Sequence, residues 1–255
     1  DSVASRGLGD VYKRQLPNGT VTNTDAFSFV PTDNGTYIAT VVVTDDDGGP
    51  VTVHSQSIVV NNVAPVAAIL NAPANANEGD TVSAIADLED AGDEDTHTYL
   101  WSVTKNGQPF TLPGNVATNT QNFAFVPTDN GSYEISLTVT DDDAGTHTVT
   151  SVVTVANVNP TATLSGPTSG IEGSELSYSI SKADAGSDDT HTYLWSVAKD
   201  GNNQILNGVT VNAANFAFTP KDNGNYVVSV TVTDDDGGFV TKTQNVTVTN
   251  AAPVA

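Results

Sequence analysis

Residues 123–143 read FAFVPTDNGSYEISLTVTDDD, and nearly the same string stands at 27–47 (FSFVPTDNGTYIATVVVTDDD) and at 216–236 (FAFTPKDNGNYVVSVTVTDDD). Within it Tyr133, Ile135, Leu137 and Val139 alternate with Glu134, Ser136, Thr138 and Thr140, the period of two that marks a strand with one face in a core and the other in water. Matched residues set the length of the repeat. Asp33, Asp129 and Asp222 are 96 and 93 apart, Trp101 and Trp195 are 94 apart, and Pro65, Pro160 and Pro253 are 95 and 93 apart. That period exceeds a solenoid unit of about 20–50 residues and suits a domain of roughly 100, so each copy is expected to bury its own core.

Working outward, Trp101 with Val103, Phe123 with Phe125, and Val153 with Val155 supply further inward pairs, and no stretch reads as a helix of three turns. Asp-Gly at 47–48 and 236–237 is hairpin chemistry, with Asp143-Ala144-Gly145 as a longer variant. The motif Asp-x-Gly-x-Tyr recurs at 33–37, 129–133 and 222–226. It resembles the tyrosine corner of immunoglobulin-like sandwiches, in which a Tyr hydroxyl caps the loop entering the penultimate strand. A Trp about 32 residues earlier fits the third strand of such a fold, whereas Ala39, Ile135 and Val228 stand where an antibody-type domain has its second Cys. The wider pattern, YLWSV, then FxFxPxDNGxY, then TVTDDD and a linker NVAP, resembles PKD-type and related immunoglobulin-like (cadherin-like) repeats of secreted bacterial proteins. The resemblance covers residues 16–255 and implies an all-β chain of tandem seven-stranded immunoglobulin-like β-sandwiches, end to end.

The alignment predicts boundaries. Leu16-Pro17 matches Leu112-Pro113, so 16–62 reads as the C-terminal half of a truncated repeat, followed by complete repeats at 63–157 and 158–250 and the start of another at 251–255. Residues 1–15, DSVASRGLGDVYKRQ, match nothing in the other repeats and resemble translated adapter sequence, so they are set aside from the fold. The half-repeat, lacking its early strands, leaves Phe27, Phe29 and Val41 without an opposing sheet. It is expected to be poorly ordered or to pair with another chain.

Thirty acidic residues against 8 basic ones give a net charge of -22, which repels phosphate backbones and anionic headgroups alike and excludes nucleic acid as a partner. No apolar run approaches the roughly 18 residues of a membrane span, so no membrane insertion is expected. With no Cys, disulfides and thiolate sites are absent, and bound cations are the remaining staple available to each unit. Carboxylates clustered in loops are the oxygen ligands calcium prefers.

Three acidic groups recur. Glu78-Gly79, repeated at Glu172-Gly173, lies between the first two strands. The loop before the Trp strand carries Asp87, Glu89, Asp90, Asp93, Glu94 and Asp95 in one repeat and Asp184, Asp188 and Asp189 in the next. The Asp triplets occupy 45–47, 141–143 and 234–236. In a seven-stranded sandwich the last two groups share the end at which the chain enters, while Glu78, Asp129 and the exit linker occupy the other. Stacked units therefore bring Glu78, Asp129, Asn157 and Asn159 opposite Asp184, Asp188, Asp189, Asp234 and Asp235; Asn61, Asp87, Asp90, Asp93, Asp141 and Asp142 are the matching candidates one joint earlier. The seam so formed is similar to the interdomain calcium sites of cadherins. Asp47 and Asp236, each preceding Gly, read as turn formers rather than ligands, and the triplets lack the D-x-D-x-D-G spacing of an EF-hand. His97 and His191 share strand parity with Tyr99 and Trp101, and one His per unit is a poor zinc site.

Because almost every polar feature recurs in each repeat, no unique catalytic constellation stands out, and the chain reads as a non-enzyme. The resemblance implies an extracellular or cell-surface stalk or adhesion module, a fragment of a larger protein, stiffened by Ca2+ at its joints. Its partners would be the neighbouring repeats and a cell-surface protein or polysaccharide. The alternative is a polysaccharide- or protein-binding accessory module of a secreted hydrolase, for which only Phe110, Tyr178 and Phe239 remain as exposed rings outside the recurrent inward positions and the tail.

Overall fold

The structure, a computed structural model, describes residues 3–10, 27–44, 49–203 and 211–252. The Asp triplet at 45–47 with its Asp-Gly turn, the Leu16-Pro17 alignment, Tyr12 and Pro253 lie outside them. Every regular element among the described residues is a strand.

The first unit is one sheet, with β1 (Val3–Asp10), β2 (Gly35–Thr44) and β3 (Pro50–His54) in order and β4 (Ile58–Val60) also on β2. The second has β5 (Val66–Leu70), β6 (Asn75–Asn77), β7 (Val82–Glu89), β8 (His97–Lys105), β9 (Gln108–Pro109), β10 (Asn122–Phe125), β11 (Gly131–Asp141) and β12 (Thr146–Ala156). They form two sheets, β10-β7-β5 and β6-β12-β11-β8-β9. The third repeats this plan with β13 (Thr161–Ser165), β14 (Ser169–Ile171), β15 (Leu176–Ala183), β16 (His191–Lys199), β17 (Asn202–Asn203), β18 (Asn215–Phe218), β19 (Gly224–Asp234) and β20 (Phe239–Thr249), as β13-β15-β18 and β14-β20-β19-β16-β17. The opening strand of each sandwich is divided between the sheets: β5 pairs antiparallel with β7, and β6 then crosses to run parallel to β12. Counted as one strand, the pair gives seven per sandwich.

The core follows from strand parity. Tyr133, Ile135, Leu137 and Val139 of β11 are fully buried, as are Val228, Val230 and Val232 of β19, each such aliphatic side chain contributing roughly 1.5–3 kcal/mol. Across the sandwich Trp101 stacks on Phe123 with centroids 4.9 Å apart, and Trp195 on Phe216 at the same 4.9 Å. The indole N–H groups donate to the Thr120 and Ala213 carbonyls at 2.9 and 2.7 Å, which satisfies the one polar atom each ring would otherwise strand in the core. The tyrosine corner is formed three times. Tyr37, Tyr133 and Tyr226 donate to the carbonyls of Asp33, Asp129 and Asp222 at 2.7, 2.8 and 2.7 Å.

One stretch set aside above is placed, and one expectation changes. Residues 3–10, set aside above, run antiparallel to β2 from Val3 opposite Thr44 to Asp10 opposite Tyr37. They take the side of β2 that β8 takes on β11, where a row of backbone donors and acceptors would otherwise be unpaired. Tyr178 is core rather than surface, stacked on Phe218 and donating to the Pro167 carbonyl at 3.1 Å, because its third-unit position faces inward on β15 where the second unit has Ala84. Phe110 likewise packs against Phe125 and Tyr133. In the first unit Val43, Val51 and Val53 are exposed, and no second sheet covers them among the described residues.

Candidate cation sites at the seams between units

The site is assembled by four connections between strands, two from each unit. At the end where the chain leaves the second unit, Glu78 follows β6; its N–H donates to Ala156 and its Oε1 accepts the Val158 N–H at 2.6 Å, fastening the linker to the turn. Gly79 then adopts φ +77, a left-handed conformation that costs glycine little, and donates to the Pro127 carbonyl. Glu78 is only 1% exposed, although it is a carboxylate at the tip of a domain. Asp129, from the tyrosine corner, turns its Oδ2 to Lys105 Nζ.

The third unit meets this surface with the loop before β16 and the turn between β19 and β20. Asp184 is held by His191, whose Nε2 lies 2.7 Å from its Oδ2, with the imidazole 2% exposed. Asp234 caps its own turn, Oδ1 accepting from Asp236 and Gly238 at 3.1 and 2.6 Å, while Oδ2 accepts from Asn157 of the linker at 3.1 Å. Asp235 Oδ1 accepts the Thr190 N–H at 2.8 Å, which holds its carboxyl below the usual range.

These elements place three sets of carboxylates so that one oxygen of each lies within 4.8 Å of the others: Glu78, Asp129 and Asp189; Asp184, Asp189 and Asp234; Asp189, Asp235 and Asp236. Two like charges at that spacing repel by roughly 3–4 kcal/mol at an effective dielectric constant of about 20. The crowding favours the protonated forms. Burial, reinforced by Glu78, Asp184, Asp129 and Asp235, pushes the Asp189 carboxyl up to about 6, and burial with Asp184, Asp129 and Asp236 raises Glu78. Six buried oxygens here accept no hydrogen bond: Glu78 Oε2, Asp129 Oδ1, Asn157 Oδ1, Asp184 Oδ1 and both of Asp189. Leaving buried acceptors unmatched is costly, and six to eight oxygens is what a calcium ion takes.

The earlier seam repeats the design. Asp90, Asp95 and Asp141 converge, as do Asp33, Asp95 and Asp143; His97 Nε2 lies 2.8 Å from Asp90, and Asn62 donates to Asp141 at 2.8 Å. Burial, with Asp90, Asp142, Asp141 and Asp143, raises Asp95. At the far end of the third unit, where no further unit is described, Glu172 keeps its bond to the linker N–H of Ala251 at 3.1 Å, but the Asp222 side chain is 66% exposed.

Of the residues expected at the seams, Glu78, Asp129, Asp184, Asp189, Asp234 and Asp235 are brought together, as are Asp90 and Asp141 one seam earlier. Asn157 contributes its amide, and Asn159 Oδ1 stands beside Gly238. Asp188 instead binds Thr128 across the joint, and Asp142 accepts the Thr96 N–H. Asp87, Asp93 and Asn61 are exposed; Asp87 and Asp93 belong to none of the groups because they face away along β7 and at the loop tip. Asp236, expected only to form the turn, joins the cluster: Asp234 and Gly237 at φ +90 make the turn, which leaves the Asp236 carboxylate free to reach Asp189. Asp33, Asp95 and Asp143 are additions of the same kind.

Two stretches of the chain, residues 62–156 and 157–249, match the PKD domain. The chain belongs to the PKD domain family. A stretch of the chain is similar to the PKD domain of an M14-like peptidase from a Thermoplasmatales archaeon, at 26% identity over 36% of this chain and 98% of that one, with a TM-score of 0.28. The chain is also similar to extracellular domains 3–5 of Drosophila OTK (15% identity, 99% and 87% covered, TM-score 0.32) and to the insect immune protein hemolin (12%, 98% and 68%, 0.39). Comparison with curated proteins found no match. Among the described residues no helix is long and apolar enough to cross a membrane.

Proposed function

We propose that this chain is a length of extracellular stalk, non-catalytic in itself, whose PKD units are locked end to end by calcium at the seams. The observation that carries this reading is the set of six buried, unmatched oxygens shared between the second and third units and their linker. A hard divalent cation would coordinate those oxygens and offset the repulsion among the carboxylates around them. Membership of the PKD family supports a modular, non-catalytic role, and a net charge of -22 suits a chain that works in calcium-rich surroundings. A sugar-binding role has less support: with Tyr178 and Phe110 turned inward, Phe239, 60% exposed, is the ring left from the three candidates.

The test is thermal melting of the whole chain in millimolar calcium and in chelator. A cation that binds only the folded, stacked state at 100 times its dissociation constant stabilises by about 2.7 kcal/mol per site. The account expects a clear rise in melting temperature with calcium, made smaller by Glu78→Gln, whose amide oxygen still accepts the Val158 N–H. Equal melting with and without calcium would refute it.

A further inference from the structure

Asp189 belongs to all three carboxylate groups of the later seam, and neither of its oxygens has a hydrogen-bond partner although both are buried. Asp95, its counterpart 94 residues earlier, belongs to both groups of the earlier seam. Every other carboxylate in these groups appears once. A carboxylate shared by several groups, with both oxygens unmatched, is the one member able to bridge two ions. Building on the calcium-locked reading, we propose that each seam takes a pair of divalent cations bridged by this one aspartate, and that the two ions bind for different reasons.

The inner ion belongs to the entering unit alone. Asp184, Asp189 and Asp234 all come from the third unit, with Asn157 of its linker alongside, and Asp90, Asp95 and Asp141 repeat the arrangement within the second. The outer ion spans the joint, since Glu78 and Asp129 come from the second unit and Asp189 from the third. Glu78, 1% exposed with Oε2 unmatched, is the buried group aimed into that outer position. Asp235 and Asp236 border the bridge from the solvent side. The inner ion therefore orders the loop that presents Asp189, and the outer ion closes the joint only when the preceding unit has docked. Seven carboxylates face a single lysine, Lys105, around the later seam, so one divalent ion leaves most of the charge unmet.

Counting bound calcium on the intact chain tests this, by native mass spectrometry in a magnesium-containing volatile buffer and by equilibrium dialysis at moderate salt. The parent is expected to hold four ions, Asp129→Ala three, and Asp189→Ala two. Asp129→Ala leaves the backbone carbonyl that Tyr133 uses, and the near-ultraviolet signal of Trp101 and Trp195 in chelator reports whether each variant is folded. Two ions in the parent, with one lost in either variant, would overturn the bridged pair and leave the calcium-locked stalk standing. No bound calcium in the parent would overturn both.

Discussion

Thr128 and Asp188 hold each other across the joint between the second and third units: the Asp188 N–H donates to the Thr128 carbonyl at 3.1 Å, and the Thr128 hydroxyl donates to Asp188 Oδ2 at 2.6 Å. Thr32 and Glu94 repeat both bonds one joint earlier, at 3.2 and 3.1 Å. Each joint therefore carries a direct hydrogen-bonded contact beside its carboxylate groups, in the same register at both seams. Thr128→Val removes the hydroxyl and retains the backbone bond. A hydrogen bond to a charged group contributes about 1.5–3 kcal/mol, reduced here by exposure, so hydrogen exchange at Asp188 should speed up severalfold in chelator. Unchanged exchange would show that the pair does not hold the joint.

Gly79 and Gly173 offer a matched comparison. Both have left-handed backbone, φ +77 and +80, and a Cβ on either costs about 1–2 kcal/mol of strain. At Gly79 that Cβ would also lie 3.0 Å from the Ala185 Cβ of the next unit, whereas at Gly173 nothing lies within 4 Å. Gly79→Ala should lower the melting temperature and weaken the calcium response, while Gly173→Ala should lower the melting temperature alone. Equal calcium responses in the two variants would exclude close packing at the joint.

The tyrosine corner is a separate matter of fold. Tyr133 is fully buried, and burial pushes its hydroxyl up to about 12. Tyr133→Phe leaves the Asp129 carbonyl without its donor, at about 1–3 kcal/mol. The second unit should melt earlier with calcium stoichiometry unchanged, a combination that denaturation and ion counting together would check.

Acidity should act in opposite senses with and without metal. In chelator, Asp189, Glu78 and Asp95 all have folded-state values above their unfolded ones. The folded chain therefore binds protons more readily through the window from about 4 to about 6, and stability falls as pH rises through it. The metal-free protein should melt higher at pH 5 than at pH 7. Protons compete for the same oxygens, so the gain from calcium should be smaller at pH 5. A metal-free melting temperature that rises from pH 5 to pH 7 would contradict the clustering.

Much of this was legible in the chain itself. The alternation through Tyr133 to Val139 and the Asp-x-Gly-x-Tyr motif specify the penultimate strand and its corner, because both are local. Knowing which loops share an end of a sandwich was enough to bring Glu78 and Asp129 against Asp184 and Asp234. Which carboxylate sits at the centre was not legible: Asp95 and Asp189 are two among several acids in their loops, and only the backbone path separates them from exposed Asp93 and from Asp188. Asp236 was obscured by the Gly that follows it, since the turn takes its hydrogen bonds from Asp234 instead. The contact between His191 and Asp184, seven residues apart, depends on the fold of the intervening loop and has no periodic signal.

Small-angle X-ray scattering of the intact chain, in calcium and then in chelator, tests the stalk most directly. The account predicts a longer maximum dimension and a narrower spread of shapes with calcium, reversed by chelator and reduced in Asp189→Ala, which keeps the ligands of the earlier seam. Identical scattering in the two conditions would contradict it.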